Sequence, residues 1–206
     1  MRQRWASAIA LVALTVTQVH AQPDLSKHLR DGDLLFQHIG GEQGLALQLA
    51  TKSRWTHVGI AFKQQGRWQV LEAVGPVKFT PLAEWIEQGS GEYVAMRLAD
   101  ADRLLDEKSI QHLLDAAKPL MGIGYDWKFR WGDDLMYCSE LVWKLYERAL
   151  GIRLCEAKPM REYHLRDSLV LRVMHERYGS APPLDEPMVA PSTLIDCPLL
   201  VHVGQR

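Results

Sequence analysis

Apolar positions alternate with polar or small ones through "WTHVGIAF" (55–62) and "RWQVLEAV" (67–74), a pattern that predicts two strands with Gly66 marking the turn between them. "GDLLFQHI" (32–39) predicts an opening strand and "EYVAMRL" (92–98) a later one. Helical spacing takes over elsewhere. "GLALQLATKS" (44–53) predicts a short helix after the Gly-rich turn at 40–44, "PLAEWIEQG" (81–89) a second one opened by Pro81, and 103–118 a longer one. Further on, Leu141, Val142, Leu145 and Ala149 recur at helical intervals from Cys138, with Asp134 able to cap the start and Arg148 and Gly151 suited to the end. Strands gathered early with helices around them indicate an α+β fold with an antiparallel sheet. No repeat or low-complexity tract follows residue 22, and the longest irregular stretch, 179–192, reads as a tail that packs back, so 22–206 reads as one domain.

The first residues follow a different pattern. "MRQRWASAIALVALTVTQVHA" has two arginines, an apolar run from Ala6 to Leu14, then a short polar stretch ending at Ala21. That layout predicts a secretory signal peptide over 1–21, cleaved before Gln22, and too short to span a bilayer comfortably. The expectation is a periplasmic or secreted protein with no stable membrane insertion after cleavage. Losing Arg2 and Arg4 leaves 22 of the 24 basic side chains against 25 acidic ones, a formal charge of 22 minus 25, or −3. Such a surface offers no electrostatic reason to bind nucleic acid or an anionic membrane.

Export would also change the reading of the 3 cysteines, since an oxidising compartment lets thiols pair and an odd count leaves one over. Cys155 and Cys197 could pair, leaving Cys138 free. Its place in the first turns of a helix matters chemically. Unpaired backbone N–H groups and the helix dipole there favour an anion, which lowers a thiol's pKa and can also hold an oxyanion. The helix alone leaves two readings open, nucleophile or small apolar residue on a buried stripe.

A cysteine nucleophile needs a base. In "WTHVGIAF" alternation sends Thr56, Val58, Ile60 and Phe62 to one face and His57, Gly59 and Ala61 to the other. The first is a core face. The second carries an imidazole beside residues too small to crowd it, which predicts room for a helix end and a substrate, although a structural histidine would fit the same pattern. If the turn centres on Gln65 and Gly66, Gln64 pairs with Arg67 and Glu72 lies opposite Gly59. Glu72 is then a diagonal neighbour of His57 at roughly 7–8 Å, within reach of a long side chain. A carboxylate there can fix the imidazole tautomer; the alternative is an ordinary solvated carboxylate. A three-residue loop would reverse the face.

With these residues in hand, "DGDLLFQ", "QLATKSRWTHVGI", "LEAVGPVKFTPLAEWI", "GYDWKF", "YCSELVWKLY" and "APSTLIDCP" resemble the YiiX/YaeF-type permuted papain-like enzymes of the NlpC superfamily, from about residue 31 to 200 and in consistent order. The resemblance implies a circularly permuted papain-like α+β fold with the chain order histidine, third residue, cysteine, which His57, Glu72 and Cys138 show. It also implies a tyrosine near the nucleophile, matched by Tyr125 in "GYDW", whose hydroxyl could assist the oxyanion hole or hold a substrate amine; an aromatic at the core edge is the other reading of that residue.

The expected chemistry is acyl transfer to sulfur, with Cys138 attacking an amide or ester carbonyl, His57 moving the proton and Glu72 orienting His57. The chain has no paired-cysteine motif and no HExxH run, so zinc hydrolysis lacks support and no metal or other cofactor is expected. For the substrate, export and the resemblance suggest a peptide of cell-wall peptidoglycan. A lipid-like substrate for an amidase, esterase or acyltransferase is the alternative, as in the related permuted lecithin:retinol acyltransferase group. "WKFRW" (127–131) could line an apolar pocket for it, or simply pack around the site's loop. A noncatalytic binding module on an enzyme fold is a third reading, against which the complete triad argues.

Overall fold

Two-residue turns with both central residues at positive φ match the twist of the strands they join. Gln65 (φ 49°) and Gly66 (φ 78°) form such a turn between β2 (His57–Gln64) and β3 (Arg67–Ala73), and Gln64 pairs with Arg67 as the sequence predicts. The computed structural model describes residues 25–89 and 91–204, so the leader expected over 1–21 lies outside the described residues.

In chain order the main elements are β1 (Leu34–Gln37), α1 (Gly41–Thr51), the β2–β3 hairpin, β4 (Val77–Pro81), α2 (Leu82–Gln88), β5 (Tyr93–Leu98), α3 (Ala101–Leu104), α4 (Glu107–Ala117) and α5 (Cys138–Leu150). The tail carries β6 (Lys158–Pro159), α6 (Ser168–Tyr178), β7 (Pro187–Met188), α7 (Pro191–Ile195) and β8 (Leu200–His202). Six strands form one antiparallel sheet in the order β4-β3-β2-β1-β5-β8, and β6 pairs with β7 separately. The fold is α+β, and the tail does pack back, adding β8 as an edge strand.

Strand alternation gives the sheet two apolar faces. On one, Leu34, Phe36, Val58, Ile60 and Leu71 pack against Leu113 of α4 and Leu141, Val142 and Leu145 of α5. Each fully buried leucine or valine there contributes about 1.5–3 kcal/mol. The other face, with Leu35, Ala61, Val70 and Ala95, is covered by Leu82 and Trp85 of α2. No described helix is long and apolar enough to cross a membrane.

Three helix boundaries differ from expectation, the first being α1, which begins at Gly41 inside the stretch read as a turn. The helix predicted over 103–118 is broken at Leu105 (φ −114°, ψ 57°), after which Asp106 starts α4 by accepting the Ser109 N–H at 2.8 Å. Asp106 is a strong capping residue, and its local bond wins over helix continuity. Asp134 does not cap α5 either. Met136 forms an isolated parallel bridge with Tyr125 and donates to Gly124 O at 2.9 Å, which keeps the chain out of the helix until Tyr137. Tyr137 is the capping residue, and Gly151 (φ 66°) closes the far end as predicted.

Candidate active site

Cys138 is the first residue of α5, so its sulfur stands at the unpaired N–H end of a helix whose far side is anchored in the core. Glu140, three residues past the cap, reaches back to the Tyr137 N–H at 3.4 Å and also accepts the Gly132 N–H at 3.3 Å. Helix start and preceding loop are thereby tied to one carboxylate. Lys144 completes the arrangement, its ammonium 2.7 Å from Glu140 Oε1 and 4.9 Å from the centroid of the Trp131 ring.

His57 opens β2 and is buried. Its Nε2 lies 2.5 Å from Glu72 Oε2, and Thr80 on β4 donates to the other carboxylate oxygen at 2.6 Å. The two-residue turn sets this bond: Ile60 pairs with Leu71, so one residue back Gly59 faces Glu72. A Cβ on Gly59 would meet Val70 Cγ1 at 2.4 Å and Leu71 O at 2.9 Å, so glycine is what lets the strands close up beneath the ion pair.

The face that carries His57 is not open, which corrects the sequence expectation. Trp85 of α2, wholly buried, fills it, with ring centroids 6.1 Å apart. The cysteine helix packs on the opposite face, against Val58 and Ile60, and presents the sulfur at the end of β2. Being the strand's first residue, His57 is reached there by both. Thr80 and Trp85 escaped the sequence reading because β4 was not foreseen and because α2's partner depends on how the sheet is covered.

Sulfur and imidazole are close enough for each to shift the other's titration. For the thiol, burial pushes the pKa up, but the adjacent His57 and its charge, with the Val58 backbone N–H, outweigh that, and Cys138 ends below the ordinary thiol range. For the imidazole, burial pushes down while Cys138 and the bonded Glu72 lift it to about 9. Opposite shifts of this kind favour a thiolate–imidazolium pair at neutral pH.

Tyr125 sits beside this pair, half-buried, its ring 4.8 Å from that of Trp127. Burial and the neighbouring Cys138 charge hold its hydroxyl well above the usual phenol range, so it remains a donor. The turn that carries it is pinned by Asp126, which accepts the N–H groups of Lys128 and Arg130 at 2.8 and 2.5 Å. A cleft of about 170 Å³ opens next to His57, walled by Ile39, Gln43, Thr56, Val74, Tyr125 and Trp127. Of the four residues singled out in the sequence, His57 and Tyr125 line this cleft, and Cys138 and Glu72 lie buried beside His57.

A family model described as permuted papain-like amidase enzyme, YaeF/YiiX, C92 family, matches residues 28–204. The chain belongs to the YaeF/YiiX family of permuted papain-like amidases. The uncharacterised protein YiiX of Escherichia coli (strain K12) is a member 41% identical over 176 residues, covering 85% of this chain and 86% of that protein. The crystal structure of the metalloprotein YiiX from Escherichia coli O157:H7 superposes with a TM-score of 0.82 at 40% identity, covering 87% of this chain and 98% of that one. That description belongs to the relative. Among the described residues of this chain, no three His, Cys, Asp or Glu side chains converge as a metal site, and His57 Nε2 and the Glu72 carboxylate are already engaged with each other. The donor set does not fit a resident metal.

Proposed function

We propose that this amidase is exported and cleaves a peptide amide of peptidoglycan through a thioacyl-enzyme at Cys138. The observation that carries the chemistry is the bonded chain His57–Glu72–Thr80 with Cys138 beside the imidazole, thiol and imidazole being shifted in opposite directions.

The Cys138 thiolate attacks the amide carbon, forming a C–S bond and pushing the carbonyl electrons onto oxygen. The Cys138 N–H and the Tyr125 hydroxyl are the donors for that oxyanion, and it is there that a preorganised donor lowers the barrier most. The oxyanion collapses, the C–N bond breaks and His57 gives its proton to the departing amine. Neutral His57 then takes a proton from water, the hydroxide adds to the thioester, the C–S bond breaks and the acid leaves. The thiolate and imidazolium return, with Glu72 holding the ring throughout and Thr80 holding Glu72.

Amide cleavage, the chemistry by which the family is described, supports a peptide. The largely apolar cavity that adjoins the cleft has about 70 Å³, room for one small side chain. The apolar cleft wall of Ile39, Leu47, Val74 and Trp127 keeps a lipid-like substrate as the second reading. Purified muropeptides and long-chain acylated amines, incubated separately with the protein and read by mass, separate the two: cleaved muropeptides and intact acyl amines support the proposal, and the reverse result overturns it.

A further inference from the structure

Between α1 and α6 the cavity of about 70 Å³ is walled by apolar side chains such as Leu47, Ala50, Met160, Val170 and Met174. A single charged side chain lines it, Arg177 near the end of α6. The guanidinium is half-buried, and everything it touches is neutral. It donates to Gln43 Oε1 at 2.9 Å and lies 4.8 Å from the centroid of the Phe129 ring. Among the described residues no carboxylate comes within ion-pair distance of it. Asp126, whose charge reaches the same tyrosines, has both oxygens on the backbone of Lys128 and Arg130, and Glu42 on α1 is engaged by Arg172.

A partly desolvated guanidinium that is held in place but not neutralised leaves most of its five N–H donors for an incoming anion. Its location gives that anion an identity. Gln43 and Leu47 line both this cavity and the cleft at His57, and the Arg177 charge is felt at Tyr125, as is that of Cys138. The cleft itself has no Asp or Glu in its wall, so nothing there selects a substrate ammonium. Bringing an anion close to the site is less unfavourable where a further cation stands nearby, and Arg177 is the one charged side chain of the adjoining cavity.

We propose that Arg177, steadied by Gln43, binds an anionic group of the substrate, so that the enzyme prefers amides whose acyl part bears a carboxylate. The inference rests on Cys138 being the nucleophile, as proposed above, and adds the substrate's charge. The test uses two isosteric thiol-directed probes, N-acyl-glutamyl and N-acyl-glutaminyl chloromethyl ketones, which differ in one carboxylate and alkylate Cys138 from within the cleft. The expected result is that the native protein reacts about tenfold faster with the glutamyl probe, that Arg177→Gln brings the ratio to about one, and that Arg177→Lys lies between, since ammonium keeps the charge but not the fork. Equal rates in the native protein, or a ratio that survives Arg177→Gln, would overturn the anion site while leaving the thiolate intact. Failure of both probes to label Cys138 in the native protein would instead overturn the nucleophile and the inference with it.

Discussion

At the scale of single residues the account turns on what surrounds one imidazole. Glu72 accepts from it and Thr80 fixes Glu72. Glu72→Gln preserves shape and removes the charge that stabilises imidazolium. It should therefore lower kcat by orders of magnitude with little change in KM, keep the fold, and remain more active than Cys138→Ala. Steady-state kinetics on an accepted amide check this; wild-type turnover would mean another residue orients His57. Gly59 is a packing requirement of the same site. Gly59→Ala places a methyl against Val70 Cγ1 and Leu71 O, costing about 1–3 kcal/mol, and prises the strands apart under Glu72. Thermal melting should fall and kcat with it. Much of this was legible from alternation and a two-residue turn, because hairpin register is local arithmetic. What alternation could not show is that Trp85 closes the face it leaves His57 on, since that depends on a helix arriving from another part of the chain.

Among the elements, α5 is the one that carries Cys138 at its N-terminal end, and its start is fixed by a buried carboxylate. Glu140 is held up at about 7 by burial, against the opposing pull of Lys144. A carboxyl raised in the folded state is ionised more readily in the unfolded one, so stability at this site falls as pH rises from about 4.5 towards about 7. Removing one partner is worse than removing both. Lys144→Met, which leaves Glu140 buried beside no cation, should cost about 3–5 kcal/mol at neutral pH, and pairing it with Glu140→Gln should recover part of that; denaturant unfolding of the single and double variants measures both. Element existence was legible wherever the apolar period was strong, as in β2, β3 and α5. The breaks were less so: α4 starts anew at Asp106, and α5 starts at Tyr137 rather than Asp134, because tertiary pairing of Met136 with Tyr125 overrides a good capping residue nearby.

Over the whole molecule, one sheet separates two packed layers and brings a strand end, a helix start and a loop to one cleft. α6, with a weak apolar stripe and no strong sequence signature, was not foreseen, and neither was Arg177 in the wall of the cavity that adjoins the cleft. The three cysteines divide by environment in the same way. Burial pushes the Cys155 thiol up to about 12 and raises Cys197, whose sulfur donates to Leu154 O, the carbonyl next to Cys155. Alkylation of the native protein near neutral pH should therefore add one label by mass, at Cys138, whether the other two stay reduced or bridge in an oxidising compartment. A bridge that includes Cys138 in active protein would contradict its role. The central claim, a thiolate–imidazolium pair, is tested most directly by the rate of iodoacetamide alkylation of Cys138 against pH. The thiolate exists above the depressed Cys138 pKa and the imidazolium below about 9, and the two steps belong to the pair. Cys138 should therefore alkylate much faster than a free thiol at mildly acidic pH, and His57→Ala should abolish that advantage by moving the onset up towards the ordinary thiol range. A single onset near pH 9 in both proteins would contradict the account and leave Cys138 as core packing.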